Sequence, residues 1–441
     1  MNFFKKLFSK QPAKGSLNVR FGRFTDAYKT EQQYDAWDQA VQLFEKEEYL
    51  NAYEAFFNYL RDEKEDNVKV ERNKGVLTFE FYQGSRVISG IATEQKVRAV
   101  AKVAKAGAFH MLLMKRLLMQ NFDLKFSRFC LDEENDIAIT FDTYSVDGSP
   151  YKLYYALKEL ATHADKQDDL LLDEFQGLES VENSPVTHLP SAEKEAKYKY
   201  IQKLLTATID EVENGKLDKK AYSGGVAYIL LDLVYKLDFL VCPEGFMMEA
   251  LERIHRLYFS KNEMPKVEKN LILVNELKKL KERSKEEYFK EMYTAVSTFG
   301  ITTAVNYSRV VHFIEGELPN MNWYNKNGYD KVACAIPGYI VGYCLFNYAV
   351  PEPCKDFFRL YYQVVESNYF TALGYERLYQ PKQNKFDKRA IKKKIDAIAD
   401  AYSPWFESLE PNNKLLNFES KTTFSYSFLE MMKELDLTKT G

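Results

Sequence analysis

The chain reads as an α+β module over residues 30–175, an antiparallel five-stranded sheet packed against helices, followed by an all-α region over 193–441. Three observations carry this. Short β-branched and aromatic segments crowd residues 68–91 and recur at 122–141. Beyond residue 192 that texture stops, and helix-start patterns with 3.6-residue periodicity take over. Across all 441 residues, 65 Phe, Tyr and Trp stand against 32 Gly and Pro. A typical globular chain of this length carries about 50 Gly and Pro. The backbone is therefore short of punctuation and rich in rings, which favours long helices with aromatic cores and excludes low-complexity or collagen-like organisation.

Residues 1–29 read as an amphipathic, flexible lead-in. Phe3, Phe4, Leu7 and Phe8 share one helical face, and Lys5, Lys6 and Lys10 point elsewhere. The stretch lacks the continuous apolar core of a signal peptide. A frayed or self-packed terminus and a weak peripheral membrane contact are the two readings. Residues 31–63 give two helices joined by a short turn. Strands at 68–72, 75–82 and 86–91 follow, with hairpin turns at 73–75 and 83–85. Leu77, Phe79 and Phe81 fall on one face, Thr78, Glu80 and Tyr82 on the other, so one side of the sheet is covered.

From about Gln95 to Met119 the spacing predicts a helix, with Val97, Val100, Ala101, Ala104, Ala108, Met111 and Leu112 inward. Two strands at 122–129 and 137–141 complete the sheet, joined by the acidic turn 132–136. Ser149 caps a helix with Pro150 at its first position, running to about Leu171. The order is thus α-βββ-α-ββ-α. Two prolines and broken periodicity place a linker at 176–192. After it, Ser284 with Glu287 and Ser427 with Glu430 form capping boxes, and Pro243, Pro265 and Pro351 stand where helices begin. About nine or ten helices are expected.

The segment Lys46-Glu-Glu-Tyr-Leu-Asn-Ala52-Tyr-Glu-Ala-Phe56-Phe resembles the second half of a tetratricopeptide repeat, with a small residue at Ala52 and an aromatic at Phe56. A solenoid needs about three such units, so a lone helical hairpin is expected. Together with Gly75-Val-Leu-Thr-Phe-Glu-Phe-Tyr82 and the run from Asn121-Phe-Asp-Leu124 to Ser149-Pro-Tyr-Lys-Leu153, the order of elements over 30–175 resembles the YbjN-like and type III secretion chaperone-like superfamily. That resemblance implies a non-enzymatic module that binds another polypeptide, often as a homodimer, with no catalytic residues to carry over. Residues beyond 175 depart from the small stand-alone members.

Sixty-one basic against 64 acidic side chains leave a net charge of −3, so no nucleic-acid partner is expected. Five scattered cysteines without a C-x-x-C pair argue against a disulfide framework or thiolate zinc site and for a reducing cytoplasm, with the inner membrane face the only other place considered. Phosphate loops, dinucleotide turns, nucleophile elbows and H-E-x-x-H helices do not occur. No cofactor, metal or catalytic residue is assigned. The protein is expected to be a chaperone- or adaptor-like binding module, with an enzyme holding its cleft in the helical region, or a membrane-surface scaffold, as alternatives.

Three features are singled out as candidate sites. The stretch 319–329 reads as a loop, with His312, Glu315 and Glu317 just upstream; a structural loop pinned by Trp323 is the favoured reading, and a site where Trp323, Tyr324, Asn325 and Tyr329 grip a sugar or peptide is the alternative. Lys385, Lys388, Arg389, Lys392 and Lys393 form the outer face of a helix whose Ile391, Ile395 and Ile398 are buried; a solvated face and a surface for an acidic or phosphate-bearing partner both fit. Asp165, Asp168, Asp169, Asp173 and Glu174 after His163 offer oxygens that hard cations favour, but without the glycine turn and alternating ligands of a calcium loop they read as a solvated helix end. Cys242 with His255, or Cys344 with His312, would need spatial adjacency to act as a nucleophile pair.

Overall fold

The computed structural model describes residues 19–63, 65–107, 111–181 and 186–439. The chain opens with a helical hairpin, α1 (Glu31–Glu45) and α2 (Tyr49–Leu60). Thr30 caps α1 in a capping box with Gln33. On α2, Ala52 and Phe56 are fully buried, the small residue and the ring filling the hairpin's interior.

The sheet is antiparallel and has seven strands, not five. Strands β1 (Val68–Asn73), β2 (Val76–Gln83), β3 (Arg86–Ala92) and β4 (Lys96–Ala106) run as a meander, then β6 (Ile137–Tyr144) and β5 (Arg128–Leu131) follow in space. The short β7 (Leu178–Ser180) pairs with the end of β4, past an irregularity between Lys102 and Ala104. The expected helix at 95–119 is therefore half strand. Val97, Ala99, Ala101 and Val103 alternate inward between two neighbouring strands. An alanine-rich stretch satisfies both periods, and pairing with β3 and β6 decides.

Only the second half of that stretch is helical, as α3 (Met111–Asp123). Its buried residues are Leu113 and Leu117, whereas Met111 and Leu112, expected inward, point outward. The expected strand at 122–129 is corrected with it, since α3 ends at Asp123 and β5 begins at Arg128.

Helix α4 (Pro150–Glu174) lies across the covered face of the sheet. Ser149 accepts from Lys152 N, with Pro150 in the first turn. Its stripe of Leu153, Leu157, Leu160 and Ala164 faces a core shared with Phe79, Phe81, Ile139 and Phe141.

The stretch 176–192 holds β7 and β8 (Val186–His188), and β8 pairs with β9 (Tyr293–Ala295). Eleven helices from Ser191 onward appear among the described residues, built round α6 (Ser223–Val241) and α11 (Asp330–Asn347), with α10 (Tyr307–Lys326) beside α11. Ser284 does form a capping box with Glu287. Ser427 lies inside the last helix, Lys421–Lys433, which Ser420 caps instead.

Residues 19–29, expected to be flexible, form the seam between the sheet module and the helical region. Val19 and Phe21 belong to the helical core, and Phe21 stacks on Phe370 at 5.1 Å. Gly22 N donates to Phe239 O at 2.8 Å. Asp26 accepts from Tyr154 on α4 and from Gly300 N, each at 3.0 Å. A second tie crosses the same seam: Gln83 Oε1 accepts from Thr298 N and Phe299 N, and the Phe299 ring is buried in the sheet module's core.

Candidate functional site

Where these pieces meet, a cleft of about 510 Å³ opens. Arg20, Arg23 and Phe24 come from the seam, His163, Asp165 and Lys166 from α4, and Asp238 from α6. Glu244 precedes α7 (Gly245–Phe259), which contributes Met248, Glu252 and His255. Phe299 and Phe346 supply aromatic wall.

Most of this charge is matched. Arg23 grips Asp238 through Nε and one terminal nitrogen, at 2.6–3.0 Å, and reaches Glu252 with the other at 2.8 Å. Lys166 bridges Glu249 and Glu252, and Arg256 meets the same two carboxylates from outside. Behind the cleft, Arg86 pairs with Asp168 at 2.6 Å, both almost fully buried, while Ser85 donates to Asp168. A close approach makes this possible: Gly84, at φ +55°, lies where a Cβ would sit 1.8 Å from the Asp165 carboxylate.

Beside the cleft, the carboxyls of Asp165, Asp169 and Glu244 have no ion-pair contact with a basic group among the described residues. Asp165 accepts only from Ser85, Asp169 is met by Tyr293 OH at 3.4 Å, and Glu244 has no hydrogen-bond partner for its carboxyl. Burial, reinforced by Glu244, pushes Asp165 up to about 8. Burial pushes Glu244 up to about 7, with Asp169 adding to the rise and Arg20 opposing it. Both are the expected response of a desolvated carboxyl lacking an adjacent cation. The expectation of a solvated helix end at 163–174 holds only for its last residues: Asp173 and Glu174 are exposed, while α4 turns Asp165, Asp168 and Asp169 into the seam.

Cys242 and His255 do line this one cleft, but neither is activated. Burial raises the thiol to about 11, and its Sγ is engaged with Gly22 O at 3.2 Å. Burial beside Arg23 and Arg256 lowers His255 to about 4, and Nδ1 meets Tyr235 OH at 2.8 Å. A nucleophile pair needs a depressed thiol and a base near neutrality.

A second feature is the outer face of α3. Met111 is 87% exposed, Leu112 72%, Leu118 66%, Met119 61% and Phe122 92%. Lys115 sits among them, while Arg116 is paired with Glu174 at 3.1 Å. Soluble proteins rarely leave so many large apolar side chains side by side.

The loop expected at 319–329 is mostly helix. Tyr307, Val310, Ile314, Leu318 and Met321 form a buried stripe on α10, which carries Pro319 inside it and ends at Lys326. Packing of that stripe overrides the local Pro/Asn signal. Trp323, half exposed, packs against Tyr324 and Tyr222; Tyr329 also meets Tyr222, and Asn325 is exposed. His312, Glu315 and Glu317 are not brought together. His312 lies in a shallow depression with Arg309 and Tyr348, Glu317 accepts from Tyr228 OH, and Glu315 is exposed.

The basic stretch ends in α14 (Lys388–Tyr402), with Ile391, Ile395 and Ile398 buried; Lys385, Lys388, Arg389 and Lys393 are exposed and Lys392 half-buried. Phe3, Phe4, Leu7 and Phe8 fall outside the described residues. The acidic turn gathers Asp132, Glu134 and Asp136 round Lys102 Nζ at 2.9, 2.5 and 3.4 Å, so an ammonium already supplies the counter-charge there. No helix among the described residues is long and apolar enough to cross a membrane. No protein-family model matches the chain, and no curated protein does.

Proposed function

We propose that the protein is a non-catalytic binding module that docks an amphipathic helix of another polypeptide on the outer face of α3. The bare face carries this reading. Six large apolar side chains on one helix, Met111, Leu112, Met114, Leu118, Met119 and Phe122, are exposed. A contiguous apolar surface of this kind on a soluble protein marks an interaction site. Two or three methionines in the patch suit an adaptable surface, because the thioether chain is flexible and polarizable.

Lys115 supports an acidic complement on the partner. It stands in the middle of the apolar face, so a docking helix offers an acidic residue opposite it, flanked by apolar side chains at helical spacing. A second copy packed antiparallel on the same face would bring the two Lys115 side chains close together, which like charge opposes. The resemblance of residues 30–175 to polypeptide-binding modules points the same way, and five free cysteines fit a reducing compartment.

The test uses two synthetic amphipathic peptides, identical except for a central Glu or a central Lys, titrated by fluorescence anisotropy. The Glu peptide should bind at least tenfold more tightly. Phe122→Ala should abolish binding, and Lys115→Glu should reverse the preference. Equal binding of both peptides, or none, overturns the reading. So does a dimer that forms through α3 in sedimentation, or vesicle binding that Phe122→Ala removes.

A further inference from the structure

We infer that the cleft between the sheet module and the helical region is a binding site for a small organic amine, its ammonium received by Glu244 and Asp165. Four observations lead there. The cavity, at about 510 Å³, lies within the range of sites that enclose small ligands. Its cations are already engaged: Arg23 with Asp238 and Glu252, and Lys166 with Glu249 and Glu252. Glu244 is surrounded by protein, yet part of its surface stays accessible, because it faces the cavity with no partner. Phe24, Met248 and Phe346 offer apolar wall for a hydrocarbon body beside that charge.

The alternatives fit less well. A compact metal ion needs several ligand atoms close together. Among the described residues, three such atoms come within 4.8 Å of one another only at Asp132, Glu134 and Asp136, away from the cleft. Among the arginines and lysines that line the cleft, an anion would find only Arg20 outside an ion pair, and Arg20 donates to Ala295 O at 3.0 Å. It would also face the surplus carboxyls. A primary ammonium has three donors on a compact charge and carries its own apolar stem.

The surplus carboxyls hold protons near neutrality, so an entering ammonium displaces one. Charged neighbours that set this exchange come from every side: Asp168 and Asp169 on α4, Arg20 and Arg23 on the seam, Arg86 on β3, Lys197 on α5 (Ser191–Asn214) and Glu291 just before β9. Affinity therefore rises with pH through about 7, where Glu244 loses its proton unaided, and levels off above about 8, where Asp165 does.

The probe is 2-phenylethylamine, titrated calorimetrically into the full chain, with 3-phenylpropionate as the charge-reversed control. The amine should bind with release of close to one proton at pH 6, read from buffers of different ionisation heat. Its affinity should rise about tenfold per pH unit between 5 and 7, and the carboxylate should not bind. Glu244→Gln should weaken the amine at least tenfold and suppress the proton release. Met248→Trp, which fills the cleft and leaves its charges alone, should abolish binding. No binding of the amine, equal binding of the carboxylate, competition by millimolar Mg²⁺, or indifference to both variants overturns the inference. Neither result bears on α3, which lies elsewhere on the sheet module.

Discussion

The cleft and the outer face of α3 depart from the ordinary pattern of burial in opposite directions. Around the cleft, ionisable groups lie inside the protein; on α3, Met111, Leu112 and Phe122 lie outside it. Burial alone does not separate structure from function in either place. Arg86 with Asp168 and Arg23 with Asp238 are buried and complete, the first tying α4 to β3 within the sheet module and the second tying the seam segment to α6. Glu244 is deep and incomplete. On α3, Leu113 and Leu117 are apolar and covered, while their neighbours one position away are apolar and bare. What distinguishes a candidate site in both regions is the missing counterpart.

The strongest way to break that comparison is to make a complete pair incomplete. Arg86→Met leaves the fully buried Asp168 without a cation, with Ser85 and the backbone N–H of Asp169 as its remaining donors. Removing one member of a buried pair typically costs about 3–5 kcal/mol. Urea unfolding at pH 8 should show a loss of that size. At pH 5 the loss should shrink, because the orphaned carboxyl takes up a proton. A loss under 1 kcal/mol at pH 8 would mean that completeness of the pair is not what holds α4 on β3.

Next in size is the pH dependence of the unaltered protein. A carboxyl whose value is raised on folding binds its proton more tightly in the native state, so stability is present at low pH and falls as pH rises through the raised value. Glu244 moves from 4.5 to about 7, and at about 1.4 kcal/mol per pH unit its share of the loss is on the order of 3 kcal/mol. Asp165, raised to about 8, extends the decline. The opposite trend sets in under acid. Burial works against the charge of Glu159, but backbone N–H groups of Lys125, Ser127 and Phe126 overcome it and hold the carboxyl low, and Lys96 with Arg128 does so for Asp142. Stability measured by urea should peak between about pH 4 and 6. Stability that climbs steadily to pH 8 would sink this reading of the cleft. Glu244→Gln should flatten the decline above pH 5.

How much of this was legible follows from how local each signal is. Ser149 and Pro150 announce α4 within two residues, and Leu77, Phe79 and Phe81 announce the covered face of β2, because caps and period-two alternation are written in neighbours. Strand β4 was not legible, since its alanines satisfy a helix and a strand equally. Only the flanking β3 and β6 choose. Period also failed to say which side of α3 faces inward. Apolar residues surround that helix, so the spacing of Met111 and Leu112 fits an inner face as well as an outer one. The cleft was hidden for a different reason: Arg20, Asp165 and Glu244 are far apart in sequence, and nothing near any of them signals that they converge. An acidic run after His163 looks the same whether water or a neighbouring module covers it.

The smallest expected effect tests the other half of the comparison. Leu118→Ser and Leu113→Ala alter two leucines on one thirteen-residue helix. Leu113 is fully buried and Leu118 is 66% exposed. Truncating a buried leucine typically costs about 2–5 kcal/mol through lost transfer energy and the cavity left behind. A change on an exposed face, away from any partner, usually stays within about 0.5 kcal/mol. If the face is bare in the isolated protein, Leu118→Ser should leave the urea midpoint unmoved and weaken only the Glu peptide, by several fold. A destabilisation by Leu118→Ser approaching that of Leu113→Ala would show that something within this chain already covers α3. The apolar stripe would then be core, and the docking reading would fall with it.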